Sequence, residues 1–416
     1  MHPFTAAFLA ALIVSTAARW WLALRHIRHV SGRRGSVPAE FDGRISLAAH
    51  QKAADYTIAK TRLSMLEALV AALMALAFTL GGALQALSSY WERFFHPGGM
   101  AHGIALIVSV ALIAGVVDLP FTWYRTFVIE ARFGFNRMTA SLFVGDLAKK
   151  LALGLAIGIP LLFCVLWLMA RMGDRWWLYV WLVMIAFNIA VVLLYPSVIA
   201  PLFNKFTPLQ DAELRRRVEA LLAKCGFRSQ GLFVIDSSRR STHGNAYFWG
   251  FGRAKRIVFF DTLLERLAPS EIEAVLAHEL GHFKRHHIWK LIALQFIFSL
   301  ASLWILGWLM KNPWFYSALG VDSASTAMAL LLFFIAAPPF TFLLHPIASL
   351  YSRRQEYEAD AYAALHAPAR DLVHALVKLY QDNAATLTPD PIHSAFYDSH
   401  PPAMLRIARL QTSGAA

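Results

Sequence analysis

The sequence is poor in charged residues and in cysteine. Only 16% of its 416 residues are Asp, Glu, Lys or Arg, whereas about 25% are charged in a typical soluble protein. This low charge, with 57% hydrophobic residues and a mean hydropathy of +0.48, excludes an ordinary soluble protein. Cys164 and Cys225 do not indicate a disulfide framework, and they exclude a Cys-rich structural zinc site. No internal repeat of solenoid period is evident either.

The hydrophobic residues are concentrated in long runs. Each run approaches or exceeds the roughly 20 residues that cross the hydrocarbon core of a bilayer. The seven predicted spans are Phe4–Leu24, Leu63–Leu87, Gly103–Phe121, Leu151–Ala170, Trp176–Leu194, Ile288–Met310 and Ala327–Ile347. The first run could be a signal peptide, but no Lys or Arg precedes it, so we expect a retained span with its N-terminus outside.

The basic residues that give the formal net charge of +13 predict the orientation. They are concentrated in the loops after the first and third predicted spans, at Arg25, Arg28, Arg33, Arg34, Arg44, Lys52 and Lys60, and at Arg125, Arg132, Arg137, Lys149 and Lys150. The positive-inside rule places these loops, and with seven spans also the C-terminus, in the cytoplasm. Juxtamembrane charge of this kind favours anionic lipid headgroups as partners and disfavours nucleic acid.

The motif His278-Glu279-Leu280-Gly281-His282 carries the chemistry. It lies in a predicted helix from Ser270 to Lys284, in which Ser270 caps and Glu273 occupies the capping-box position. Histidines at i and i+4 share one helical face, as two ligands of one zinc ion must. The Glu between them is placed to act as a general base toward water.

A third ligand is expected after the sixth and seventh spans. Glu356 and Asp360 are i and i+4 on a predicted helix, so Glu356 could bind the metal while Asp360 orients a ligating histidine. Glu358 lies about 200° round that helix from Glu356 and points elsewhere. The alternative is a solvated acidic face paired with Arg353 and Arg354, and the histidine motif favours the metal site.

The predicted fold class is mainly α: a polytopic membrane protein with a small α+β zincin-like unit on the cytoplasmic side. Four blocks are expected: a membrane region with five spans (1–203), a catalytic segment (204–287), a two-span hairpin (288–350) and a second catalytic segment (351–416). Within the catalytic segments we predict a helix and three strands, at Asp211–Cys225, Gly231–Ile235, Asn245–Trp249 and Arg256–Phe260, and a turn at Gly250–Gly252.

Several motifs together resemble one family. They are Phe127-Val128-Ile129-Glu130 with Phe133-Gly134-Phe135-Asn136, Tyr195-Pro196 with Ile199-Ala200-Pro201-Leu202-Phe203-Asn204, His243-Gly244-Asn245-Ala246-Tyr247, Ser352-Arg353-Arg354-Gln355-Glu356-Tyr357-Glu358-Ala359-Asp360, and Ser399-His400-Pro401-Pro402. With the histidine motif, and in this order, they are similar to the type I CAAX prenyl endopeptidases, which are integral-membrane zinc metalloproteases of the gluzincin type. One departure is Gly244, where many relatives carry Ser.

The resemblance implies roles for individual residues. It implies one Zn²⁺ per chain held by His278, His282 and Glu356, with Glu279 as the base and Asp360 behind a ligating histidine. It further implies that substrate binds along Asn245, Ala246 and Tyr247. His400, together with Arg406, would lie near the cleaved carbonyl. The spans would enclose a chamber, and the substrate would be a peptide or protein, prenylated or not.

Other interpretations and questions stay open at this stage. A membrane-protein quality-control zinc endopeptidase is one alternative, and a transporter or channel with a structural zinc site is a remote one. The Ala- and Arg-rich composition favours a bacterial member in the inner membrane, with the ER membrane as the eukaryotic counterpart. The natural substrate and the oligomeric state are not determined. His286 and His287 are expected to be membrane-boundary residues without a catalytic role.

Overall fold

The fold is that of a computed structural model, which describes residues 1–227, 229, 231–249 and 256–413. The N-terminal half is helical: α1 Pro3–Arg33, α2 Leu47–Phe78, α3 Ala83–Trp91, α4 Met100–Tyr124, α5 Ala140–Arg171 and α6 Trp176–Leu194. A catalytic segment follows with β1 Phe206–Pro208, α7 Ala212–Lys224, β2 Leu232–Ile235, β3 Ala246–Trp249, β4 Arg256–Phe260, α8 Asp261–Leu264 and α9 Pro269–Lys284. The remaining helices are α10 His287–Leu309, α11 Pro313–Ser317, α12 Thr326–Thr341, α13 His345–His366, α14 Ala369–Asp382, α15 Pro391–Tyr397 and α16 Ala403–Ser413.

The described residues contain seven helical segments long and apolar enough to span a membrane, as predicted. The second prediction, Leu63–Leu87, was wrong at its end, because α2 stops at Phe78 and α3 begins at Ala83. The break is built around Gly82, which has a φ of 75°, a conformation that favours glycine. In the seventh segment α12 and α13 form one helical run over Thr326–His366 despite its internal prolines.

The four strands form one sheet in the order β1-β2-β4-β3. β2 and β4 are parallel, with Leu232 opposite Ile257, whereas β3 runs antiparallel to β4, with Ala246 opposite Phe259. The predicted strands are present, and β1 is an additional one that its short sequence did not indicate. Among the described strands, β3 forms one edge of the sheet. The predicted turn at Gly250–Gly252 lies outside the described residues.

The described residues form three hydrophobic clusters: the two largest follow the division between membrane and catalytic parts, and a small third one joins α2 and the segment after α4 to Ala384. One core joins α7, α9, α14 and α16 to the sheet, through buried residues such as Val218, Phe259, Leu280 and Ile407. The other lies among the membrane helices and includes Leu106, Leu306 and other buried side chains of α4, α5, α6, α10 and α12. A cavity of about 410 Å³ lies beside this second core, between α1, α2, α4 and α12.

Polar contacts join the two parts. Arg240 binds Asp146 of α5 through two hydrogen bonds of 2.8 and 3.0 Å, and its third nitrogen donates to Asn204 at 3.0 Å. Glu130, which follows α4, accepts from Tyr56 of α2 and lies 3.4 Å from Nε2 of His243, just before β3. These contacts fix the position of the sheet relative to the membrane helices.

Candidate metal centre

Helix α9 carries the histidine motif. Its start differs from the prediction: the N-cap is Ala268 rather than Ser270, because Pro269 occupies the first helical position, for which proline is pre-organised. Glu271, not Glu273, reaches back to the N-cap, accepting from the Ala268 N–H at 2.8 Å. The apolar side chains of α9, among them Ile272, Leu276 and Leu280, pack into the catalytic core, and the histidine face is turned toward α13.

The close approach of α9 and α13 depends on Gly281. A Cβ at this position would lie 2.9 Å from the Cα of Ala359 and 3.0 Å from its carbonyl oxygen. Any larger residue would therefore push α13 away. Because Ala359 lies between Glu356 and Asp360 on α13, this crossing brings both carboxylates to the histidines of α9.

His278, His282 and Glu356 form a compact group of possible ligands. The Nε2 atoms of the two histidines are 3.2 Å apart. Oε1 of Glu356 lies 3.3 Å from Nε2 of His282, and Oε2 lies 3.5 Å from Nε2 of His278. Among the described residues this is the only cluster of three or more His, Cys, Asp or Glu whose ligand atoms lie mutually close enough for one metal ion.

The residues fit a catalytic zinc ion. Nitrogens about 2.0–2.1 Å from a tetrahedral zinc lie about 3.3 Å from each other, close to the separation of these two imidazoles. Oε2 of Glu356 is buried with no hydrogen-bond partner, although Nη1 of Arg406 lies 3.3 Å away. Two histidines and one glutamate also form a known catalytic ligand set that leaves a position for water. Each oxygen of this buried carboxylate thus faces one of the two imidazoles, and an ion among these atoms would bind all three side chains.

Asp360 and Arg406 lie behind His278. Oδ1 of Asp360 is 2.8 Å from Nδ1 of His278, and Arg406 binds the same carboxylate with bonds of 2.8 and 2.6 Å. Burial lowers the pKa of His278, but hydrogen bonds with Asp360 and Glu356 outweigh it and raise the pKa to about 9. Metal binding at this ring competes with protonation, because the ligating nitrogen must be unprotonated. Arg406 was predicted to contact substrate, yet its side chain is only 6% exposed.

The residues predicted to act on substrate lie at the open side of the group. Glu279 is half-buried on α9. His400 precedes α16, and its side chain is 62% exposed with Nε2 3.3 Å from Oε1 of Glu356. Nδ1 of the same ring is 3.0 Å from the Ser399 hydroxyl. The imidazole of His400 is thus exposed beside the ligand set, whereas the guanidinium of Arg406 is buried.

The predicted substrate strand is β3, which begins after Asn245. Asn245 is exposed, and its side chain accepts from the N–H of Ala246 at 2.8 Å. Its carbonyl accepts from the N–H of Phe260 at 3.0 Å, which ties the start of β3 to β4. Tyr247 is half-buried against Phe260, and burial raises its pKa to about 12. The strand thus presents its free edge away from β4.

His287 was expected to be a membrane-boundary residue, but it is buried, with 1% of its surface exposed. Its Nδ1 lies 3.0 Å from Nδ1 of His282, and its Nε2 lies 3.1 Å from Oε2 of Glu358. Continuous helical periodicity would place His287 away from His282. The chain breaks at His286, which adopts a φ of 56°, so no periodic signal in the sequence could have found this contact.

Comparisons with known proteins agree with this architecture. A family model described as the CAAX prenyl protease N-terminal region with five membrane helices matches residues 26–205, and one for peptidase family M48 matches residues 208–413. A CAAX prenyl protease 1 homologue of Arabidopsis thaliana is 34% identical over 418 residues, 97% of each chain. The CAAX prenyl protease 1 homologue of Homo sapiens is 30% identical over 453 residues, 97% of this chain and 95% of the human one.

A solved structure extends the agreement to three dimensions. The crystal structure of S. mikatae Ste24p matches with a TM-score of 0.92 and 30% identity, covering 99% of both chains. These similarities confirm the predicted fold class and the peptidase interpretation, and they do not favour a transporter or channel. The chain belongs to peptidase family M48, among the CAAX prenyl protease 1 homologues, and is an integral-membrane metalloendopeptidase.

Proposed function

We propose that one zinc ion per chain is held by His278, His282 and Glu356. The observation that carries this assignment is that one ligand atom from each of these three residues lies within 4.8 Å of the other two. When bound there, zinc would polarise the scissile carbonyl and lower the pKa of a coordinated water from 15.7 to about 7. A zinc ion at this site would thus activate both the water and the scissile carbonyl, as peptide hydrolysis requires.

The protein's own residues then move the protons. Glu279 accepts a proton from the attacking water as the new C–O bond forms, and it then donates this proton to the leaving amine as the C–N bond breaks. His400 donates a hydrogen bond to the carbonyl oxygen as negative charge develops on it. Arg406 and Asp360 act from behind the metal ligands, holding His278 and Glu356 in place. Arg406 therefore supports catalysis without touching substrate.

The substrate binds as an extended chain along the free edge of β3. Edge strands present unpaired N–H and C=O groups that pair with an added strand. Asn245, Ala246 and Tyr247 supply this edge, and main-chain pairing of this kind reads backbone more than side chains. Specificity would then depend on access to the site and on any lipid that the substrate carries.

The substrate class that we propose is a prenylated protein ending in a CAAX sequence, from which the last three residues are removed. The relatives named CAAX prenyl protease 1 support this proposal. The basic loops after the first and third spans support a cytoplasmic active site. In the four-block organisation that we propose, residues from 204–287 and from 351–416 together supply the ligands, with His278 and His282 from the first and Glu356 from the second.

A cleavage assay on one CAAX peptide, with and without a farnesyl group, tests the substrate class. Mass spectrometry of the products locates the cleaved bond, and Glu279→Gln protein serves as the blank. Cleavage after the cysteine that depends strongly on the farnesyl group supports the proposal. Equal or scattered cleavage of both peptides contradicts prenyl recognition and favours a role in membrane-protein turnover.

A further inference from the structure

A chain of polar contacts runs from the second ligating histidine to the protein surface. It begins at His282, passes through His287 at 3.0 Å and reaches Glu358 at 3.1 Å. Glu358 is in turn 3.3 Å from Nε of Arg354. The His282 side chain is 19% exposed; beyond it, side-chain exposure rises from 1% at His287 to 33% at Glu358 and 80% at Arg354. The buried end of the chain meets the metal centre.

With a metal ion on Nε2 of His282 and both rings neutral, one arrangement of protons satisfies these contacts. His282 faces the other ligands through Nε2, so its proton is on Nδ1. Nδ1 of His282 then donates to Nδ1 of His287, which must accept. The proton of His287 is consequently on Nε2, where it is donated to the carboxylate of Glu358. Both ring nitrogens of a buried histidine are thereby satisfied, and each ring has its tautomer fixed by the next group.

The fold builds this chain from two elements. α9 ends at Lys284 and α10 begins at His287, and the left-handed residue His286 between them turns the ring of His287 back toward the metal centre. α13 supplies Glu358 from the same stretch of helix that supplies Glu356. The two carboxylates point in different directions, so one reaches the ligand atoms while the other reaches the ring behind them.

We propose that His287 and Glu358 are positioning residues for the metal centre, acting through His282. They orient its ring and, through the carboxylate, increase the electron density of Nε2. They would be the counterpart of Asp360 and Arg406, which lie behind His278. Each ligating histidine thus contacts its own group of polar side chains. The group behind His278 is buried, whereas the group behind His282 extends to solvent. This inference rests on the proposed function, since it requires that His282 binds a metal ion.

The experiment measures zinc affinity in the full-length, detergent-solubilised protein by competition with a chromophoric chelator. His287→Phe keeps a ring of similar size and removes both nitrogens, while Glu358→Gln removes only the charge. His286→Asn is the matched control, because His286 is adjacent and exposed and Asn tolerates its left-handed conformation. The visible spectrum of the cobalt-substituted protein reports ligand geometry independently of activity.

We expect His287→Phe to weaken zinc binding about 10- to 100-fold, the usual effect of losing a group that orients a ligand. Glu358→Gln should weaken it less, and the double variant should match His287→Phe alone, since both residues act through one contact. The cobalt spectrum should shift in His287→Phe, while His286→Asn should leave both affinity and spectrum unchanged.

Zinc affinity equal to wild type in His287→Phe protein, with unfolding like that of wild type, would overturn the inference. If that variant does not fold, unchanged affinity in Glu358→Gln would overturn it instead, because Glu358 is partly exposed and its change perturbs packing little. Failure of the wild-type protein to bind zinc would contradict the proposed function itself. The two failures are therefore distinguishable in the same titration.

Discussion

The catalytic part and the membrane part of this protein bury their apolar residues to different extents. In the most apolar window of the spanning segment Gly173–Leu202, 0% of residues are buried inside the protein, and the corresponding value for Met100–Glu130 is 11%. In the catalytic part, α9 alone buries eight residues, including Ile272, Ala274 and Leu276. Lipid covers the apolar faces of the membrane helices, whereas the catalytic part must form a packed core in water.

The seventh spanning segment belongs to both parts. In its most apolar window 44% of residues are buried, the largest share of the seven, and its end carries Glu356 and Asp360 to the metal centre. Function therefore depends on closely packed contacts around α9 and α13, and the membrane helices meet this unit through polar contacts and through the small apolar cluster that joins α2, Ile129 and Phe135 to Ala384. Substitutions in the catalytic part should therefore affect catalysis and metal binding more than substitutions where the two parts meet.

The largest effect is expected at the centre of the catalytic part. Glu279→Gln should lower kcat about 10²- to 10⁴-fold, because it removes the general base, and zinc content should not change. Peptide hydrolysis and metal analysis on the same preparation measure both quantities. Glu273→Gln, half-buried on the same helix, is the control and should keep full activity. Loss of zinc from Glu279→Gln protein would show instead that Glu279 holds the site together.

The next effect concerns the support behind His278. Asp360→Ala should weaken zinc binding about 10- to 100-fold, because it removes the acceptor that fixes the ring and leaves Arg406 without its main partner. Chelator competition measures this change. Unaltered affinity would mean that Asp360 serves only the packing of α13.

A smaller effect is expected where the two parts meet. Asp146→Asn should weaken the bonds from Arg240 and lower the free energy of unfolding by about 2 kcal/mol, as losses of hydrogen bonds to charged groups do. Thermal unfolding in detergent measures the change. Asp174→Asn is the matched control, because Asp174 pairs with Lys311 in an exposed bridge, and no change is expected. Equal effects of the two substitutions would show that the contact between Arg240 and Asp146 does not stabilise the attachment of the catalytic part to the membrane part.

The smallest effect is expected beside the substrate strand. Gly244→Ser should leave hydrolysis and stability unchanged, because a Cβ at Gly244 would meet Leu263 at 3.4 Å, an ordinary contact distance. The rate of peptide cleavage and the unfolding temperature check this expectation. A large loss of activity would indicate that the segment before β3 is more tightly constrained than its contacts suggest.

The sequence by itself determined the features that depend on local periodicity. Apolar runs defined seven spans, and residues four apart placed two histidines on one face of α9 and two carboxylates on one face of α13. These patterns are local because a helix repeats every 3.6 residues whatever surrounds it. The family motifs extended the prediction to the strands and to His400. The predicted start of α9 and the predicted end of the second span were wrong. A proline or glycine sets a helix end through the backbone conformation of one or two residues, which periodicity over many residues does not detect.

Only the tertiary structure decided how distant segments meet. The contact between Arg406 and His278 joins residues 128 apart in the chain, and that between His287 and Glu358 joins residues 71 apart. The first involves a buried side chain that was predicted to contact substrate, and the second involves a residue that was predicted to lie at the membrane boundary and contacts His282. Such contacts depend on the close crossing of α9 and α13 and on the left-handed turn at His286. Helical periodicity does not predict the crossing of α9 and α13 or the turn at His286, because packing between elements determines both features.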